Sequence, residues 1–131
     1  MIEICKLQEA LRITISLSHL GNRYFNEKEP WKKTKTNRQE AANTLYVAAQ
    51  IVKKIAILME PFIPFTSEKL WSLLNLDGSV HEKPWNETEK ELPAGHKINK
   101  ANPLFSKITE SEETLQKRLQ EIRVKLQESK A

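Results

Sequence analysis

The stretch from Asn37 to Phe65, NRQEAANTLYVAAQIVKKIAILMEPFIPF, decides the fold. Ala41, Leu45, Ala48, Val52, Ile55 and Met59 recur three or four residues apart and line one face of an α-helix, with Ala42, Ala49, Ile51 and Ala56 on its flanks. The spacing predicts one long helix that starts near Arg38 behind an Asn37 cap. Pro61 and Pro64 end it and turn the chain through Glu60–Phe65. The alanines let another helix come close, so this one belongs in the middle of an all-α helical bundle. Gln50, Lys53, Lys54 and Glu60 interrupt its apolar run, which falls short of the ~20 apolar residues a bilayer crossing takes; no membrane is expected among the partners.

Working back, Leu7, Ala10, Leu11, Thr14, Leu17, Ser18, Gly21 and Tyr24 mark one face of a first long helix from Ile2 to Phe25, and Ile13, Ile15 and Leu20 widen that stripe. No capping residue precedes Ile2 except Met1, an abrupt start of the kind a segment of a longer protein shows. Between the two helices lies GNRYFNEKEPWKK, residues 21–33. Pro30 draws Glu29 away from helical angles and sets Trp31 on a turn just past the helix end. Lys28, Lys32, Lys33, Lys35 and Arg38 surround that ring, against Glu29 alone on the acidic side. An aromatic face among cations suits unpaired nucleic-acid bases. The same indole can instead fold back as an apolar plug with the lysines as a solvated rim.

Working forward, Thr66 is expected to cap a short helix with Leu70, Trp71, Leu73 and Leu74 inward and Glu68, Lys69 and Ser72 outward. Asp77-Gly78 is a turn, and a long irregular loop runs to about Lys100, pinned by Trp85. Residues 95–99 are expected to lie back over the bundle, and Leu104, Phe105 and Ile108 to pack beneath the loop. Thr109 to Glu112 fits a capping box, and a last helix carries a narrow seam of Leu115, Leu119, Ile122 and Leu126. The expected division is therefore a bundle over residues 1–109 and a helix over residues 110–131. That helix can close the bundle, pair with another chain as an oligomer contact, or lead into a further module.

The totals narrow the function. Lysine and arginine outnumber aspartate and glutamate by 21 to 17, a net charge of +4, so charge location matters more than charge sum. Cys5 is the only cysteine, which leaves no internal disulfide or thiolate pair for zinc and fits a reducing, cytoplasmic setting. The N-terminus has no secretory pattern. No catalytic residues can be assembled: His19, His81 and His96 are scattered, and three glycines cannot build a phosphate loop. Glu110, Glu112 and Glu113 are the acidic first turn that a helix dipole favours, not a metal site.

Three segments then resemble a known family. Asn22-Arg23-Tyr24-Phe25 through Glu29-Pro30-Trp31-Lys32 looks like the helix-end motif of the anticodon-binding domain in methionyl-tRNA synthetases. Glu60-Pro61-Phe62-Ile63-Pro64-Phe65 with Glu68-Lys69-Leu70-Trp71 resembles a corner shared more widely among class I aminoacyl-tRNA synthetases. Asn102-Pro103-Leu104-Phe105-Ser106-Lys107-Ile108 is similar to the segment before the closing helix of the methionyl enzymes, with Ser106 where that family commonly has proline.

The resemblance implies a fragment of a methionine–tRNA ligase that holds the anticodon loop of methionine tRNA. Trp31 would stack on the first anticodon base and Pro30 would fix its approach, with Asn22 and Arg23 as further candidates and Lys28, Lys32, Lys33, Lys35 and Arg38 facing phosphate. The family's site also draws polar residues from a helix before the first one here, so part of the bundle is expected upstream. Neither His-Ile-Gly-His nor Lys-Met-Ser-Lys-Ser occurs. The segment by itself is expected to be non-catalytic, with ATP, methionine and any zinc held by the catalytic domain of the same parent chain. Two rival readings are a helical interaction module that docks or dimerises through the last helix, and the corresponding bundle of a sister synthetase.

Overall fold

In a computed structural model, which describes residues 2–107 and 109–129, the chain is all-α. Five helices follow in order: α1 (Leu7–Lys28), α2 (Pro30–Thr36), α3 (Arg38–Met59), α4 (Pro64–Leu73) and α5 (Glu112–Glu128). Short 3-10 turns occupy Ile2–Ile4, Val80–Glu82 and Trp85–Glu89. As the alanine pattern requires, α3 is central and packs on α1, α2 and α4. By length and composition it is also apolar enough to cross a membrane, with a mean hydropathy of 1.2 over its most apolar window. Its neighbours, and the lysine it buries at position 53, make that apolarity part of a bundle core.

The first helix starts later than periodicity suggests. Cys5 takes φ 58°, a left-handed conformation that breaks the helical path, so Ile2–Ile4 is a separate turn and α1 begins at Leu7. Only Ala10 and Thr14 of its stripe are fully buried, and Ile13, Ile15 and Leu20 stay exposed. Thr14 satisfies its hydroxyl locally by donating to the Ala10 carbonyl at 3.0 Å. At Gly21 the helix comes so near α3 that a Cβ would stand 2.9 Å from Ile51 Cγ2. Glycine there is a close-approach residue, not a hinge.

The stripe predicted for α3 is rotated in the fold. Ala41 and Ala56 are buried as expected, together with Thr44, Lys53 and Ile57, whereas Leu45 is exposed. The helix has neighbours on more than one side, so no single line of residues marks its covered surface. Asn37 caps it as anticipated, its side-chain oxygen accepting the Glu40 N–H at 3.1 Å.

Two caps differ from expectation. α4 starts at Pro64, not behind Thr66, because proline's fixed φ suits a first helical position where its missing N–H is not needed. α5 is capped by Ser111, whose Oγ accepts the Thr114 N–H at 3.4 Å, and not by a Thr109–Glu112 box. Every described residue of α5 is exposed, so the helix does not close the bundle.

Trp71 of α4 is buried with Ala56, Ile57 and Val80, with Leu70 and Leu76 against them. Its indole N–H donates to the Asp77 carbonyl at 3.3 Å, just before the left-handed Gly78 that completes the predicted turn. Glu68, expected to face outward, is half-buried and accepts from the Val80 N–H at 2.9 Å and from Ser79 Oγ at 3.0 Å.

The long loop does return over the bundle. Asn99 donates from its backbone to the Leu73 carbonyl at 2.9 Å and from its side chain to the Ser72 carbonyl at 2.7 Å. The first satisfies a carbonyl that the end of α4 leaves without a helical partner, and the second adds to the Asn75 N–H that the Ser72 carbonyl already accepts at 3.0 Å. Trp85 is half-exposed over a cleft formed by Ile2, Ala10, Ile13, Thr14 and Leu58. The stronger anchors come from α3. Lys53 Nζ donates to the Lys90 carbonyl at 2.7 Å and lies 3.8 Å from the Glu87 carboxylate. Tyr46 and Gln50 both donate to the Leu92 carbonyl, at 2.7 and 3.1 Å. Leu104 is half-buried, Phe105 is exposed instead of packed beneath the loop, and Ile108 lies outside the described residues.

Candidate nucleic-acid interface

The junction between α1 and α2 is a helix break, not an open turn. Glu29 adopts φ 44° and ψ 56°, and its N–H closes the end of α1 on the Phe25 carbonyl at 3.1 Å. A left-handed non-glycine residue costs about 1 kcal/mol. The next residue, Pro30, is fully buried and occupies the first position of α2, where its ring is accommodated without loss of a hydrogen bond. Trp31 is thus the second residue of a helix, a more fixed setting than the predicted turn.

The indole is 52% exposed. One side meets the Phe25 ring at a centroid distance of 5.6 Å and an interplanar angle of 51°, leaving other ring surface open to solvent. Thr34 Oγ1 donates to the Trp31 carbonyl at 3.0 Å and tightens the same turn. Of the two readings the residues left open, the sealed plug is therefore set aside: Trp31 is accessible, and Pro30 is the buried residue of the pair.

The positive rim is only partly free. Lys32 is engaged by Glu29 at 2.6 Å, Lys33 by Glu40 across the α2–α3 junction, and Arg23 sits 3.9 Å from Glu27. Lys33 beside Glu40 holds that carboxyl below its ordinary range, the hydrogen bond being the largest cause. Lys28, Lys35 and Arg38 are exposed and make no ion pair among the described residues. Of the five basic residues that the sequence sets against Glu29 alone, two are paired: Lys32 with Glu29 itself, and Lys33 with Glu40, which lies beyond the Lys28–Arg38 window and folds back against it.

Asn22 is exposed at the rim of a groove of about 330 Å³ between α1 and α3, lined also by Ser18, Gly21, Phe25, Ile51 and Ile55. Phe25 belongs both to this groove and to the Trp31 contact, and so joins the two parts of the site. Sequence reasoning quoted Phe25 but gave it no role. The available signal was an aromatic in the last turn of α1, six residues before the tryptophan across a helix break.

The arrangement offers one rigid π surface, uncompensated cations on α2 and its neighbours, and a polar amide at an adjacent groove. Such a set can stack a base and attract phosphate; the side chains brought together include no nucleophile paired with a base.

A family model described as the anticodon binding domain of methionyl tRNA ligase matches residues 1–124. The chain is 46% identical over 112 residues to a methionine–tRNA ligase of Thermococcus kodakarensis, covering 86% of this chain and 14% of that protein. It is 38% identical over 113 residues to one from Methanobrevibacter smithii, covering 86% and 16% respectively. For one from Bacteroides fragilis the identity is 36% over 113 residues, covering 85% and 16%. The chain thus spans about one seventh of the length of these curated relatives.

Proposed function

The chain belongs to the family of anticodon-binding domains of methionyl-tRNA ligases, and from that premise we propose that it grips the anticodon loop of methionine tRNA for a ligase that joins methionine to that tRNA at the expense of ATP. The observation that carries this reading is the half-exposed Trp31, backed by Phe25 and seated on the buried Pro30. A base drawn out of its stack needs a substitute π surface, and a ring already held at a fixed angle offers one with little left to order. Asn22 at the neighbouring groove contributes a polar edge. Lys28, Lys35 and Arg38 supply the phosphate field, while Lys32, Lys33 and Arg23 act first in holding Glu29, Glu40 and Glu27.

We place ATP, methionine and any zinc on the catalytic domain of the parent ligase. The residues described here bring together no group of three His, Cys, Asp or Glu side chains able to hold a metal. The cytoplasm is the compartment that suits an exposed Cys5 thiol and a translation substrate.

The test is Trp31→Ala in the ligase that carries this chain. Methionylation of the tRNA should fall by a factor corresponding to ~1 to 3 kcal/mol, with methionine-dependent ATP–pyrophosphate exchange nearly unchanged. An equal loss in both reactions would make Trp31 a folding residue and overturn the reading.

A further inference from the structure

The seam of α5 is a second surface that the tRNA reading leaves unused. Leu115, Leu119, Ile122 and Leu126 follow one another at spacings of four, three and four, the alternating d and a positions of a heptad. They are 38%, 55%, 53% and 55% exposed, and no residue of the helix is buried. Four aliphatic side chains in line, extending ~16 Å at 1.5 Å per residue, form a face shaped for another helix.

The flanks of that seam decide what kind of helix fits. The e positions are Gln116 and Arg123 and the g positions are Arg118 and Lys125, so no acidic residue borders the stripe. Arg118 holds Glu110 at 2.7 Å, whereas Arg123 and Lys125 make no ion pair among the described residues. A parallel second copy would set Arg118 against Arg123. An antiparallel one would set Arg118 against Lys125 and Gln116 against Arg123. Neither arrangement contains an attractive flanking pair, and both oppose like charges. RNA is also a poor occupant: phosphates offer nothing to cover four aliphatic side chains, the seam has no aromatic ring to stack on, and Glu121 and Glu128 share the helix.

We propose that α5 docks an amphipathic helix of a different polypeptide segment, one whose own apolar stripe is bordered by glutamate or aspartate. Aliphatic burial supplies the attraction, and the basic borders choose an unlike partner over a second copy.

The test uses the whole chain with two labelled synthetic helices, each with leucine at a and d, one with glutamate and the other with lysine at e and g. Fluorescence anisotropy should show the glutamate helix binding about tenfold more tightly, the scale that a few exposed ion pairs reach together, with the preference fading in salt. Ile122→Asp should abolish binding, and Arg123→Glu with Lys125→Glu should reverse the preference. Because α5 buries nothing, unchanged thermal unfolding shows only that the bundle is intact, and unchanged helical circular dichroism of the whole chain shows that α5 is still formed in these variants. Equal binding of both helices, binding of neither, or sedimentation as a dimer that Ile122→Asp dissolves would overturn the proposal. So would tight binding of single-stranded RNA that is lost in the charge-reversed variant but kept in Ile122→Asp.

Discussion

The Phe25 and Trp31 rings meet at 5.6 Å and 51° across the break between α1 and α2, so the last turn of one helix props the first turn of the next. A tilted aromatic pair of this kind contributes ~0.5 to 1.5 kcal/mol beyond simple burial. Phe25→Ala should release the indole and lower kcat/KM for tRNA by a factor corresponding to about that energy, with Phe25→Tyr close to wild type. Steady-state methionylation by the parent ligase reads this directly, and urea unfolding of both variants separates loss of support from loss of fold.

Charge pairing ranks the basic residues. Lys35→Gln with Arg38→Gln should weaken RNA binding and reduce the slope of log affinity against log salt by about 1.4, since each released contact to a single strand contributes ~0.7. Lys32→Gln should change the slope less, because Glu29 already balances that ammonium at 2.6 Å. Titration of an anticodon stem-loop over a salt series measures both, and a full change of about 0.7 for Lys32→Gln would show that the ion pair opens when RNA arrives.

Glu40 predicts an acid limb. Lys33 lowers its pKa from the ordinary 4.5, so the folded chain gives up that proton more readily than the unfolded chain does. The stabilisation is therefore complete above pH 4.5 and is lost as pH falls through the lower folded value. Glu87, lowered first by its hydrogen bond to Lys90, acts in the same direction. Stability measured by urea unfolding across this range should fall less steeply in Lys33→Met than in wild type.

Lys53 predicts a core defect. Its side chain is 5% exposed, and its ammonium reaches two loop carbonyls and the Glu87 carboxylate. Burial pushes its pKa down, partly offset by Glu87, so the folded chain holds that proton less firmly and this cost is relieved only as pH rises toward the ordinary 10.5. Lys53→Met should nevertheless destabilise the chain by ~1 to 3 kcal/mol, because the Lys90 carbonyl and the Glu87 carboxylate would lose the ammonium that ties the loop to α3. Urea unfolding tests the magnitude, and faster amide exchange confined to residues 85–92 locates it.

Much of the site is legible in the sequence. Pro30 before Trp31, the Asn37 cap and the proline corner are local signals that depend on a few consecutive residues, and they placed the break and the long helix that follows it. The charge reading failed at Lys33 because its partner is seven residues away beyond a second helix start, a pairing that no i, i+4 rule describes. Lys53 was read as an interruption of an apolar stretch; burial of an ammonium depends on carbonyls brought from positions 87 and 90.

By itself, the sequence determined where the helices lie, where proline divides them, which family motifs they carry, and that the last helix has an aliphatic seam with basic borders. These properties follow from periodicity, caps and turn chemistry, each confined to neighbouring residues. The tertiary structure alone decided that Phe25 supports Trp31, that Lys28, Lys35 and Arg38 make no ion pair among the described residues while Lys32 and Lys33 do, and that no described residue buries the face of α5. Those outcomes depend on which surfaces meet once the helices pack, and a contact between residues far apart in the chain has energy only in the folded arrangement.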